Sequence, residues 1–352
     1  MKSLAGTLMH YCGPSRRAVT LCFAVTALLN PVWAHAQSCT VSSPTVNFGT
    51  VNMVSGTTYA PTGTQITVSC SYPNVLVSTL AAFSVCLNVS GASGSTPRTM
   101  ISGANSLNYN LYSNATLSNI WGNTNSGNPS NVAVTVTTNT CGQLFGCSSI
   151  SGSTTTTIYG QLPSVGNTAA PPGTYTQNSS GTAPFNVVVG LLSGLLTSLP
   201  SCTGGTTNSN SIGNFTVTST ALVSNFCSVS ASTINFGGSV GVLSSAISAT
   251  GIITAACTNT DSYTIALNQG TTTGASLADR QMASSGSAVV HYQLYTNSGH
   301  STIWGDGTSG TSTSGGTGTG SNQNYTVYGL VSPQTTPAPN LYSDTVTVTV
   351  SY

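Results

Sequence analysis

The chain says nearly the same thing twice. Residues 107–123 read LNYNLYSNATLSNIWGN, and residues 290–306 read VHYQLYTNSGHSTIWGD. The likeness extends on both sides. SCTVSSPTVNFGTV (38–51) matches FCSVSASTINFGGSV (226–240), and TGTQITVSC (62–70) matches TGIITAAC (250–257). RTMISG (98–103) matches RQMASS (280–285), and TTIYGQLP (156–163) matches YTVYGLVSP (325–333). The offset drifts from 188 (227 − 39) to 183 (304 − 121) to 169 (328 − 159). A drifting offset means a duplicated unit with insertions confined to loops, so the fold must be one that can be built twice.

The period of the repeat narrows that fold. TQITVSC, FSVCLNV, LNYNLY, VAVTVTT, FNVVV and FTVTSTALV in the first copy carry apolar residues at alternate positions. So do SYTIALN, VHYQLY, YTVYGL and DTVTVTVSY in the second. Such runs, separated by Gly, Asn, Ser and Pro, predict half-buried antiparallel strands. The expected fold class is all-β, two tandem immunoglobulin-like sandwiches joined near Ser224-Asn225, over 37–224 and 225–352.

The first 36 residues read as a secretory signal peptide. Lys2, Arg16 and Arg17 give a basic start, Ala18 to Leu29 an apolar run, and Ala34-His35-Ala36 a cleavage site. The apolar run is too short to span a bilayer. Maturation at Gln37 leaves Arg98, Arg280, Asp261, Asp279, Asp306 and Asp344 as the charged side chains, with no Lys and no Glu. No basic patch exists, which excludes nucleic acid as a partner. Eight cysteines remain, an even number suited to disulfides in an oxidising compartment. Their spacing does not resemble a zinc site, and neither metal nor cofactor is expected.

The segments CTVS…NFG, YxLYxN…IWG, YTVYG and the ending YSDTVTVTVSY resemble the spore coat protein U domain, once per copy and over nearly the whole mature chain. That domain builds archaic, Csu-type chaperone–usher pili, and two-domain members resemble the pilus-tip adhesin. The resemblance implies incomplete immunoglobulin-like sandwiches completed by a donor strand. It also implies a periplasmic chaperone and an outer-membrane usher as partners, and export through the periplasm to the cell surface.

The copies end differently. DTVTVTVSY closes the second, whereas FNVVV (185–189) in the first is followed by a loop and then GNFTVTSTALV (213–223). The first copy thus has one strand more. A sandwich short of its last strand exposes unpaired backbone groups and a core cleft, which a strand from another chain can fill. The first copy is expected to be self-complete and the second to accept a donor strand. With only Gln37 and Ser38 before Cys39, the mature chain is expected to accept but not donate, as a fibre's last subunit would. The competing reading makes 213–223 a linker and the second copy a complete sandwich with fewer strands.

Three insertions in the first copy carry apolar residues. They are SYPNVLVSTLAAF, TNTCGQLFGCSS and GLLSGLLTSLPSC. Val75, Leu76, Val77, Leu80, Leu144, Phe145, Leu191, Leu192, Leu195, Leu196 and Leu199 are therefore the candidate surface-binding residues. Loops normally face water and are polar, so such residues either pack over the sandwich ends or form an exposed apolar patch that marks an interaction surface. The resemblance favours the second option, since Csu-type tips are thought to attach through hydrophobic finger-like loops. Attachment to apolar, abiotic surfaces and biofilm formation follow from it. A glycan-binding lectin-type adhesin is an alternative, but the loops offer Tyr72 and Phe145 with no Trp and no acid. A structural spore or cyst coat protein is the other.

Cys227 and Cys257 are the second copy's only pair, and repeat symmetry then joins Cys39 to Cys70. Cys86, Cys141, Cys147 and Cys202 leave three connectivities. The short loop favours Cys141–Cys147, which leaves Cys86–Cys202. Catalysis is not expected. The acid–base candidates are His291, His300, Asp261, Asp279, Asp306 and Asp344, and no nucleophile elbow, carboxylate pair or phosphate loop accompanies them. Asp279-Arg280 reads as a local ion pair. Trp121 and Trp304 recur and read as core, and Arg98 and Arg280 as partners of backbone carbonyls.

Overall fold

The computed structural model describes residues 37–352 apart from 55, 61–62, 77, 92–96, 123–130, 144–145, 192–209, 212–213 and 238–240. The signal peptide read from the sequence lies outside the described residues.

Among the described residues the first copy forms twelve strands. They are β1 (Ser38–Val41), β2 (Thr45–Val51), β3 (Thr64–Val75), β4 (Thr79–Val89), β5 (Arg98–Ser102) and β6 (Asn105–Tyr112). β7 (Val132–Thr137), β8 (Cys147–Gln161), β9 (Gly173–Thr182), β10 (Pro184–Leu191), β11 (Asn210–Ser211) and β12 (Phe215–Val223) follow. They pair in the order β1-β3-β8-β6-β5-β9-β4-β10-β11, with β7 on β4, and β12 between β9 and β2. Alternation decides which side chains face in. On β12, Phe215, Val217, Ser219, Ala221 and Val223 are buried while the residues between them reach solvent. All of them but Ser219 join a core that closes around the fully buried Trp121, whose indole N–H donates to Leu87 O at 2.9 Å.

The second copy forms β13 (Cys227–Ala231), β14 (Ile247–Cys257), β15 (Ser262–Leu267), β16 (Arg280–Ala283), β17 (Val289–Tyr295), β18 (Ser314–Thr317), β19 (Asn322–Val331) and β20 (Val348–Ser351). β13-β14-β19-β17-β16 face β18-β15-β20 across a second core around Trp304. Its indole N–H donates to Ile265 O at 3.0 Å.

The duplication holds at atomic detail. Cys39 sits opposite Cys70 on β1–β3, and Cys227 opposite Cys257 on β13–β14, each pair joined as a disulfide. The guanidiniums of Arg98 and Arg280 are both buried. They donate to Trp121 O at 2.6 Å and to Trp304 O at 2.8 Å. Tyr175 donates its hydroxyl to Pro171 O, four residues back, and Tyr342 does the same to Ala338 O. This phenol tied to the chain just upstream is the corner that fixes strand F in immunoglobulin-like sandwiches. One local expectation fails. Asp279 does not pair with Arg280. Its carboxylate meets His291 Nδ1 at 2.8 Å, because β16–β17 pairing sets Gln281 opposite His291 and brings the imidazole alongside. Arg280, buried, turns instead to carbonyls and to Gln293.

Candidate functional site: an apolar pole and an open groove

The described parts of the three insertions, far apart in sequence, meet at one end of the first sandwich. Ser78 N donates to Cys141 O at 2.9 Å, and Cys141 N to Thr79 O at 3.2 Å. Val75 lies opposite Cys147 on β3–β8, and Leu191 opposite Thr79 on β10–β4. Cys141 and Cys147 are joined, which closes the second insertion into a short loop. Cys86 is disulfide-bonded, and Cys202, the partner named from the sequence, lies outside the described residues.

The candidate side chains at this pole divide. Leu76 stands out at 69% exposed. Val75 and Leu80 do not, being 6% and 8% exposed, and they leave the surface-binding set. The physical reason is that the first insertion lengthens two strands rather than making a loop: β3 runs on beside β8 to Val75, and β4 begins at Thr79 beside β10. On β4 both faces are buried: Ala81, Phe83, Val85 and Leu87 on the core, and Leu80, Ala82, Ser84 and Cys86 on the outer side. The equivalent β15 leaves Ser262 and Thr264 exposed on its outer side. Val77, Leu144, Phe145, Leu192, Leu195, Leu196 and Leu199 lie outside the described residues. Leu191 ends β10, with its backbone at the pole.

Strand direction places the pole far from the second copy. β9 and β10 run on toward the pole, and β12 runs antiparallel to β9, so Val223 pairs with Gly173 at the opposite end. The linker leaves there. At that same end Asn259 Nδ2 donates to Ala169 O at 2.7 Å, and Thr258 Oγ1 to Ser224 O at 3.1 Å, across the junction of the two copies.

The second feature is a groove in the second copy of about 970 Å³. Its floor is apolar, with Ile253, Leu267, Val290, Leu294 and Val327. One wall is 231–237 and the other 336–348. In the first copy the equivalent walls are β2 and β9, and β12 lies between them. It is parallel to β2 (Thr218 opposite Thr45, Ser219 opposite Val46) and antiparallel to β9 over Phe215–Gly181 to Val223–Gly173. The buried Val46 and Phe48 correspond to Ile234 and Phe236, which are only half-buried. Phe48 sits edge-on to Tyr109 at 6.2 Å, and Phe236 edge-on to Tyr292 at 6.0 Å, so the two floors match. Among the described residues, 341–347 have no strand neighbour on the side where β9 holds β12. The groove is the space of one missing strand.

One carboxylate, Asp344, lines the groove. Burial opposes its charge, but hydrogen bonds from Tyr292, Thr271, Thr345 and Thr272 outweigh that and hold it below the ordinary carboxylate range. Burial, with the Asp344 hydrogen bond added, pushes the Tyr292 phenol up. The sequence reading placed Asp344 among the acid–base candidates and missed its position in the groove. Its partners Thr271 and Thr272 lie more than seventy residues away, and no local signal joins them.

Comparison with known proteins fits this duplicated architecture. A family model, the Spore Coat Protein U domain, matches residues 23–180 and 212–349. The chain belongs to the Spore Coat Protein U family. Both copies of the domain match, and the second match begins just ahead of β12. No curated protein matches the chain. Among solved structures, the chain is similar to the CsuC–CsuE chaperone–tip adhesion subunit pre-assembly complex from archaic chaperone-usher Csu pili of Acinetobacter baumannii. Identity is 16%, coverage 90% of this chain and 100% of that one, and TM-score 0.48. It is also similar to the CupB6 tip adhesin of Pseudomonas aeruginosa, at 11% identity, 89% and 94% coverage and a TM-score of 0.33.

Proposed function

We propose that this chain is the tip adhesin subunit of an archaic chaperone–usher pilus. The unit over 37–224 attaches to apolar, abiotic surfaces and promotes biofilm formation. The unit over 225–352 accepts the donor strand of the adjacent pilin. A periplasmic chaperone and an outer-membrane usher deliver it to the cell surface. The observation that carries this reading is the paired state of the two copies: one groove is filled by the chain's own β12, and its duplicate is open. An apolar cleft beside an unpaired strand edge is an unfavourable surface in isolation, and main-chain hydrogen bonds with alternate side chains in pockets are how a strand is recognised there. The pole supports the adhesive half of the reading. The described parts of three apolar insertions meet at the end remote from the groove, so one end can touch a surface while the other is held in a fibre.

A peptide copying 213–223 tests the assembly half. Added to the mature chain, it should bind and raise the melting temperature of the second unit. A scrambled peptide of the same composition should not. Equal binding by both, or binding by neither, sinks the acceptor reading. A lectin would instead show attachment that depends on a glycan coat and is lost on bare plastic. A self-contained coat protein would take up no strand at all.

A further inference from the structure

We propose that Asp344 is a positioning residue that holds the unpaired edge of the groove in place until a strand enters. The inference rests on the acceptor reading above and deepens it.

The two copies supply the comparison. In the first, the stretch of chain between the Ile101–Thr176 pairing and the Ser90 N–Ser180 O hydrogen bond spans four steps (180 − 176). Every residue of it is paired with β12, and it holds no charged side chain. In the second, the stretch between the Ala283–Ser343 bridge and the Asn268–Thr347 hydrogen bonds spans four steps (347 − 343). Among the described residues no strand pairs with its outer side, and Asp344 lies within it. A backbone segment with solvent on one side and few ladder bonds on the other opens locally at low cost. What replaces the missing ladder is a side chain.

Five hydrogen bonds reach the Asp344 carboxylate from outside its own segment. Oδ1 takes Thr271 N at 2.9 Å, Thr271 Oγ1 at 3.3 Å, Thr272 N at 3.2 Å and Thr272 Oγ1 at 3.2 Å. Oδ2 takes the Tyr292 hydroxyl at 2.7 Å. Hydrogen bonds to an ionised acceptor are the stronger kind. They tie the edge to the loop after β15 and to the floor of the groove. Gly270 makes room for this: its φ is +95°, and a Cβ there would overlap the carboxylate. The rival role, a carboxylate that reads a cationic side chain on the incoming strand, does not fit. Each oxygen already accepts a hydrogen bond from within the fold, and β12, the strand that fills the equivalent groove, carries no cation. In the first copy the counterpart phenol, Tyr109, meets only Ser179 Oγ, at 3.4 Å, and there β12 does the holding.

The test uses the mature chain, wild type and D344N, each with and without a C-terminal flexible linker followed by a copy of 213–223. The readout is amide hydrogen exchange at 341–347. In the open chain, D344N should speed exchange there by about tenfold or more, while in the strand-fused chain the two should agree within about twofold. Y292F removes one of the five donors and keeps the ring, so it should show the same pattern at smaller size. It decides the matter if open D344N fails to fold. Open D344N that never accumulates, beside fused D344N at wild-type yield, is the expected result in its strongest form. Equal acceleration in open and fused chains, no acceleration in either, or unprotected 341–347 in the open wild type overturns the proposal. If the fused strand fails to protect 341–347 in the wild type, the acceptor reading falls instead, and the two failures are distinguishable.

Discussion

Asp344 and Asp261 are shifted in opposite directions, and all four carboxylates of the mature chain lie in the second copy. Asp344 has a folded-state pKa below its unfolded one. Its contribution to stability is therefore present above an unfolded value of about 3.9 and lost as pH falls through the folded value. Asp306, lowered by the Thr308 hydroxyl and amide, acts in the same direction. Asp261, raised chiefly by burial, acts oppositely: its contribution is full below about pH 3.9 and lost as pH rises through its folded value. The first copy has no carboxylate at all. Acidification below about pH 4 should therefore destabilise the second copy, and more than the first. Each unit has a single core tryptophan, so W121F reports the second copy and W304F the first. A fluorescence titration in which Trp121 unfolds at the same acid pH as Trp304 would contradict this. D344N should flatten most of the Trp304 transition. At this scale the sequence was legible where a residue recurs in both copies. The recurrence of Trp121 with Trp304 marked them as core, and that of Arg98 with Arg280 marked them as partners of backbone carbonyls. The Asp279–His291 contact and the five donors to Asp344 were not legible, because cross-strand register and loop closure, not sequence spacing, bring those groups together.

β12 is the element on which the fold turns, and its packing says what a strand in the open groove must do. Phe215 stacks on Trp121 at 6.3 Å and covers Gly181, where a Cβ would overlap the phenyl ring. Phe215→Ala should cost about 3–5 kcal/mol, as large aromatic truncations in cores do. Gly181→Ala should also destabilise, by forcing the same ring out of its place. Both effects should appear in urea unfolding of W304F and leave the second copy's transition unchanged in W121F. A loss shared equally by both units would mean that they do not fold independently. The period-two pattern made β12 readable as a strand, and the absence of a counterpart made the second copy readable as short of one. The lengthening of β3 and β4 was less readable. The apolar residues of the first insertion suggested an exposed loop, because Val75 falls out of phase with Ile66, Val68 and Cys70, and Leu80 lies on the outer face of β4; both are buried all the same, which a period-two pattern does not show.

Across the whole molecule, the pole and the groove lie at opposite ends of the chain's course, with the junction at Ser224 between them. Replacing Leu144 and Phe145, or Leu192, Leu195 and Leu196, with Ser should leave pili assembled and abolish attachment to polystyrene. Attachment by the wild type should persist at high ionic strength, since an apolar contact is not screened by salt. Pili in normal number with normal attachment would remove these residues from the adhesive role. Lost pili would return them to the core. The same end-to-end layout has a mechanical consequence. Tension applied between the pole and the junction runs lengthwise along β12 and its neighbours, not across them. The hydrogen bonds of the ladder are then loaded in parallel and must yield together, and the lifetime of the unit under a pull is set by its unfolding rate, not by its equilibrium stability. Cys39–Cys70 and Cys227–Cys257 fasten the opening strand of each sandwich to its neighbour, so that strand cannot be stripped away first.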